Sequence, residues 1–402
     1  MSPRSPHRLI AAGALALALP CSLLAVSAPA ATAAGVDVPT NVSSTTKGIQ
    51  RIRLEVLPAI VQQGGRVASP DAARAAVVAV VRPVRAGRKV QVQVRRDSWW
   101  EAVALTRQDG RGRAQLAAPV SEDGQALTYR VKAMAAGGLR AFKSRPVSTE
   151  RWLAPTWTDE FSGTHLGPEW NHRGLEHLSV SRRTCSKGDP RAVRVEGGAV
   201  RLSVITDPDA TTRCRIRGRD AAPGRYAYRL SGHIGTQGSF SFKYGVAAAR
   251  VKFQRRRGQH GAFWMQPADG MHPGAAGSEI DVAEYFGDHH PRGGLATFVH
   301  RYVGMRRVST GGWIPRSASF LRSRHDGWSR NYHVFSVEWT PRQLVYRIDG
   351  KETARVARGV SDVRQFPVLS LIAADYEIPK IRERQLPQHM YVDWVRVWET
   401  GS

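Results

Sequence analysis

Carboxylates are scarce in this chain. It has 33 Asp and Glu against 59 Lys and Arg, a formal net charge of +26. Such an imbalance invites a nucleic-acid or anionic-surface reading. The basic residues are mostly arginine, however, and are scattered through both halves instead of forming one stripe or tail. No helix-turn-helix, zinc-finger or RNA-binding signature accompanies them, so no nucleic-acid partner is expected. Cysteine is nearly absent, with three in 402 residues. One of them, Cys21, sits in a segment with Arg4, His7 and Arg8, an apolar run from Leu9 to Val26, and the small-residue site Ala31-Thr32-Ala33. These features mark residues 1–34 as a secretory signal peptide and predict an extracellular protein. A lipoprotein role for Cys21 is the lesser alternative, because Pro20 fits that cleavage box poorly. Loss of the signal leaves Cys185 and Cys214, a pair that secretion favours as a disulfide. No later run is long and apolar enough to span a bilayer, so no membrane insertion is expected.

Long helical periods are also missing. What the chain has instead is short alternation of polar and apolar residues, the mark of half-buried strands. Residues 35–50 read as an extended leader. Arg51–Val56, Lys89–Arg95 and Leu127–Met134 alternate, with turn signals at Asp109-Gly110 and Gly137-Gly138. Residues 51–146 are therefore expected to form a small β-sandwich, and the block Gly87–Leu116, with Trp99 and Trp100 before Asp109-Gly110, resembles immunoglobulin-like or fibronectin-like modules. Trp99 and Trp100 are candidates there for stacking on sugar rings. Pro146, Ser148, Thr149 and Pro155 place a linker over 147–156. From Trp157 to the end aromatics are denser, and alternation recurs at Val200–Val204, Ala249–Phe253, Tyr332–Trp339, Leu344–Asp349 and Met390–Trp398. The fold class is all-β. Residues 157–402 suit a two-sheet jelly roll whose curved sheet forms a cleft.

Against that scarcity, three carboxylates fall within six residues in Glu279-Ile280-Asp281-Val282-Ala283-Glu284. Strand alternation puts Glu279 and Asp281 on one face and would send Glu284 to the other. A β-bulge at Val282-Ala283 returns Glu284 to the first face. Two carboxyl groups on one face, with a third between them, is an arrangement that glycoside hydrolysis requires.

The second domain resembles glycoside hydrolase family 16. The resemblance is carried in order by Trp157–Gly163, Tyr244-Gly245 with Arg250-Val251-Lys252, Gly261–Pro267, the bulged acidic stretch 279–284, Tyr332-His333 with Glu338-Trp339 and Asp349-Gly350, and Val392–Val397. Three places depart from the family pattern, and all three are expected to bear on the sugar subsites. His260-Gly261 stands where a Trp-Pro pair is usual, Ala248 where a Glu is common, and Ala374-Asp375-Tyr376-Glu377 near where a glycine pair often follows.

The resemblance implies a retaining endo-β-glucanase of the laminarinase-like branch, acting on β-1,3-glucan. β-Galactan hydrolysis, transglycosylation and non-catalytic glucan binding are the alternatives. Glu279 becomes the nucleophile, Glu284 the acid/base, and Asp281 the acid between them. Trp264, His300, Tyr285 and Tyr302 are the implied substrate-binding residues. No cofactor is required by this chemistry. Glu160, the Gly198 carbonyl and Asp393 match positions of a structural calcium, with strand-end acids paired to nearby arginine or lysine as the rival reading. The expected partner is a polysaccharide, and the protein is expected to be a monomer.

Overall fold

The computed structural model describes residues 49–218 and 221–401. The signal segment 1–34, with Cys21, and all but the last two residues of the 35–50 leader lie outside them. Among the described residues the helical elements are single 3-10 turns, and no helix is long and apolar enough to cross a membrane.

The alternating runs of the N-terminal part form two antiparallel sheets. Arg51–Val56, Ala75–Arg82 and Arg113–Ala118 make one. Lys89–Arg96, Trp99–Arg107, Thr128–Ala133 and two short strands make the other. Period-two alternation sends Val77, Ala79 and Val81 from the first sheet against Val90, Val92 and Val131 from the second, and all are buried. Trp99 is 56% exposed on an edge strand, and Arg130 lies 4.1 Å over the ring of Trp100.

The C-terminal part is the jelly roll. One sheet runs in the order Arg306–Trp313, Leu295–Val303, Glu279–Tyr285, His260–Pro267, Gln365–Ile372 and Arg229–Gly235. The other runs Ala199–Thr206, Gln388–Glu399, Gly245–Lys252, His333–Thr340, Gln343–Ile348 and Lys351–Val356. The two join through Arg229–Gly235, which pairs with Ala199–Thr206 by its first residues and with Gln365–Ile372 by its last. Ala247, Ala249, Val251, Phe263, Ile280 and Leu369 point between the sheets into the main core. Residues one step along each strand point outward, so each sheet has a second face to account for.

The outward face of the second sheet is covered by the N-terminal part. Val246, Ala248, Val334, Trp394 and Trp398 pack against Leu57, Ile60, Ala76, Val78 and Trp152. Arg250 follows Ala248 on this face. Its guanidinium pairs with Asp393 and donates to the carbonyls of Gln62 at 2.8 Å and Arg66 at 3.1 Å. Trp394 Nε1 donates to Gln62 Oε1 at 2.6 Å. A register shift between Arg250 and Val251 turns both Asp393 and Trp394 outward.

Three sequence expectations change here. The segment 147–156 does not span a gap as a linker. Val147 and Ser148 extend a sheet, and Trp152 is buried with its Nε1 donating to Val56 O at 2.7 Å. Ala248 does not bear on sugar subsites, because it is fully buried on the opposite, covered face. The Glu160, Gly198 and Asp393 set does not fit a calcium ion as folded. Glu160 accepts from Arg396 Nε at 2.7 Å and NH2 at 2.8 Å, Asp393 is paired with Arg250, and Val67 packs against Gly198. Guanidinium groups thus supply the positive charge that a cation would bring.

Cys185 and Cys214 form a disulfide, with Cα atoms 5.5 Å apart and a sequence separation of 29. Beside it, Asp375 accepts from Thr184 N and Oγ1 at 3.1 and 2.7 Å and from Cys185 N at 3.2 Å. Together these anchor the loop that approaches the acids. Loop-closure entropy puts the disulfide's contribution at about 3–4 kcal/mol. The Cys185→Ala/Cys214→Ala double variant is expected to lose about that much in denaturant unfolding. A loss under about 1 kcal/mol would show that the loop is held by its hydrogen bonds alone.

Candidate active site

The acidic stretch is the strand Glu279–Tyr285. Its pairing with Leu295–Val303 slips between Asp281 and Glu284, and its pairing with His260–Pro267 slips between Phe263 and Trp264. The extra residue lies at Val282-Ala283, and both side chains are buried in the core. The bulge therefore stands where the spacing of the acids requires it, and Glu279, Asp281 and Glu284 share the face opposite the core. That face is the side of the first sheet left free by the jelly-roll core.

The neighbouring strands give each acid a different environment. Arg307 NH2, on the adjoining hairpin strand, donates to Glu279 Oε1 at 2.7 Å. Asp281 Oδ2 lies 3.1 Å from His300 Nε2, and His300 Nδ1 lies 2.6 Å from Ser309 Oγ. Burial, and then the charge of Glu279, hold the Asp281 carboxyl well above the usual range. Burial, then Arg307, push the His300 imidazole down. Glu284 is pushed up to about 8, first by burial and then by Asp281, while His260 and His300 pull the other way. Its Oε1 is 4.0 Å from His260 Nε2. Neighbouring carboxyl groups whose proton affinities are separated in this way can divide acid and carboxylate roles between them. Glu279, Asp281 and His300 each bring one donor atom within 4.8 Å of the others, the one group able to share a metal ion found among the described residues.

Of the residues implied for sugar contact, Trp264 is half-buried on the acid face opposite Asp281. Its Nε1 donates to Ser370 Oγ at 3.1 Å, and its ring stacks 5.9 Å from His233. His300 also lies on this face, with Phe298 stacked at 5.3 Å. Tyr302 follows two residues on, half-buried toward the strand end. Tyr285 is a correction. It is 2% exposed in the core against Phe253, and its hydroxyl donates to Asp288. The bulge explains this, since the shift that brings Glu284 onto the open face turns the next residue inward.

Sequence reasoning missed several neighbours. Beyond Glu284 an aromatic wall runs from His260 to Phe286 at 5.1 Å, to Trp313 at 5.0 Å and to His290 at 4.4 Å. Glu377 Oε2 lies 2.6 Å from His260 Nδ1. Arg307 is the guanidinium on Glu279. The signal available beforehand was the departure at His260 and at 374–377, but the pairing joins residues 117 apart in sequence.

Comparison with known proteins finds a family and several relatives for the C-terminal part. Residues 204–396 match the family described as Glycosyl hydrolases family 16. The chain is similar to a glucan endo-1,3-beta-glucosidase A1 of Niallia circulans, 30% identical over 210 residues, 48% of this chain and 28% of that protein. It is also similar to a keratan-sulfate endo-1,4-beta-galactosidase of Sphingobacterium multivorum, 25% identical over 183 residues, 43% of this chain and 40% of that one. Each match spans less than half of the relative's length. Among solved structures, the laminarinase catalytic domain from Thermotoga maritima MSB8 superposes with a TM-score of 0.48 and 21% identity, over 62% of this chain and 98% of that one. The match over residues 204–396 assigns that part of the chain, the bulk of the jelly roll, to glycosyl hydrolase family 16.

Proposed function

We propose that the protein is a secreted, monomeric, retaining endo-hydrolase of β-glycosidic bonds whose substrate is a β-1,3-glucan. The reaction type rests on one observation above all. The bulge puts three acids on one open face and gives the outer two unlike environments. The glucan reading draws on the printed activity of the Niallia circulans relative.

The chemistry follows from the two carboxyl groups. Arg307 engages one oxygen of Glu279, leaving the other to attack the anomeric carbon. As the C–O bond to Glu279 forms, the glycosidic C–O bond breaks, and the proton of Glu284 passes to the departing oxygen. Glu284 is then a carboxylate. It takes a proton from a water molecule whose oxygen attacks the glycosyl-enzyme, and the Glu279 carboxylate leaves. Asp281, held by His300, adjoins Glu279 through the first step. Trp264 offers an aromatic face for a sugar ring.

A general acid pushed up to about 8 is still protonated at neutral pH. Hydrolysis is therefore expected to hold through neutrality and to fall as pH rises through that region, where Glu284 loses its proton in the free enzyme. A product survey on laminarin, mixed-linkage β-glucan, agarose and keratan sulfate tests the substrate. The expected result is internal cleavage of laminarin with products that keep the β-anomer. Cleavage of a galactan alone would replace the substrate class. Longer products would make the enzyme a transglycosylase, and binding without cleavage would remove the catalytic reading.

A further inference from the structure

We infer that His260, fixed by Glu377, is a positioning residue for Glu284, aiming one ring nitrogen at the carboxyl and setting how tightly it keeps its proton. The inference rests on the assignment of Glu284 as acid/base. His260 opens the strand next to the acids. Ala262 is the register partner of Glu284, so His260 is two residues away on the same face. Its Nε2 stands 4.0 Å from Glu284 Oε1. Its Nδ1 lies 2.6 Å from Glu377 Oε2, which also accepts from Ala374 N at 3.1 Å. Both residues are buried, and Phe286 stacks on the imidazole at 5.1 Å.

This arrangement leaves the ring little freedom to turn. With Nδ1–H committed to Glu377, Nε2 is the atom that changes role, an acceptor when the ring is neutral and a donor when it is protonated. Both states of Glu284 then have a matching state of the ring. At 4.0 Å the coupling is electrostatic and not a hydrogen bond, so an imidazolium favours the carboxylate and a neutral ring favours the acid. A retaining cycle takes the acid/base through both states.

The surrounding charges fit this role. Glu284 is faced by Asp281 and Glu279 from its own strand, His300 from Leu295–Val303, His260 from His260–Pro267, and Tyr376 from the segment before Ile378. His260 is faced by Glu377, Glu284, Asp281, His233 and Arg183. Burial lowers the proton affinity of the imidazole, but Glu377 and Glu284 outweigh it and Arg183, and the net direction is up. A cation held there draws Glu284 down against its burial. His260 and Glu377 both fall where this chain departs from the family pattern, and in the fold the two departures touch.

The test is the titration of Glu284, followed by NMR with carboxyl-13C glutamate and identified from the resonance that Glu284→Gln removes. His260→Gln and Glu377→Gln are each expected to raise its midpoint by about one pH unit or more, the scale of a unit charge lost near 4 Å. The alkaline limb of laminarin hydrolysis should move with it. If His260→Gln does not fold, Glu377→Gln reads the same coupling with the ring in place. In Glu284→Gln, the His260 ring protons should titrate lower than in the wild type. Folded variants with an unmoved midpoint would overturn the inference. Retained hydrolysis in Glu284→Gln would instead overturn the acid/base assignment, and the titrations would still judge the coupling.

Discussion

Glu279→Gln is expected to lower hydrolysis about a thousandfold or more, because the amide cannot form the glycosyl-enzyme bond. Glu284→Gln should cost about 10²–10⁴-fold, and least on aryl glycosides whose leaving group needs no proton. The fold should survive both changes. Both side chains lie on the open face, and neither supports the core. Azide separates the two roles. With Glu279→Ala, azide should attack from the vacated side and give a product of inverted configuration. With Glu284→Ala, it should intercept the glycosyl-enzyme and give a product of retained configuration. Near-full activity in either variant on laminarin would remove that residue from the mechanism.

The second large effect lies on the far side of the molecule. Asp393 and Arg250 are paired between the jelly roll and the N-terminal part, at 3% and 0% side-chain exposure. Burial holds the Asp393 carboxyl above its ordinary range even though Arg250 pulls it down. The pair thus carries a desolvation cost that its mutual contact offsets. Asp393→Ala is expected to destabilise the protein by about 3–5 kcal/mol, because it leaves a buried guanidinium without its carboxylate. Replacing both partners by apolar residues, as in Arg250→Met/Asp393→Leu, should cost clearly less than Asp393→Ala alone. Calorimetry and denaturant unfolding measure both. A loss below about 1 kcal/mol in Asp393→Ala would mean that the carbonyls of Gln62 and Arg66 suffice to hold Arg250.

The acids were legible from sequence because their constraint is local. Alternation fixed the face of Glu279 and Asp281, and one odd spacing located a bulge that the strand register bears out. The jelly roll was legible for the same reason, through repeated short alternation. Tyr285 shows where local reasoning stops. It adjoins Glu284 in sequence, yet the bulge turns it into the core. Ala248 and Asp393 show a second limit. Strand pattern says that a residue faces outward but not what covers it, and here the N-terminal part does. His260 and Glu377 show a third. Each was visible as a departure from the family, but their contact depends on how His260–Pro267 and Gln365–Ile372 pair.

The most direct test of the account is to trap the intermediate. A 2-deoxy-2-fluoro laminari-oligosaccharide with an activated leaving group should label the enzyme once, and peptide mapping should place the label on Glu279. A label on Glu284 or on any other residue would contradict the assignment. So would an unlabelled enzyme that cleaves laminarin to the α-anomer, since that outcome belongs to an inverting mechanism with no covalent bond to Glu279.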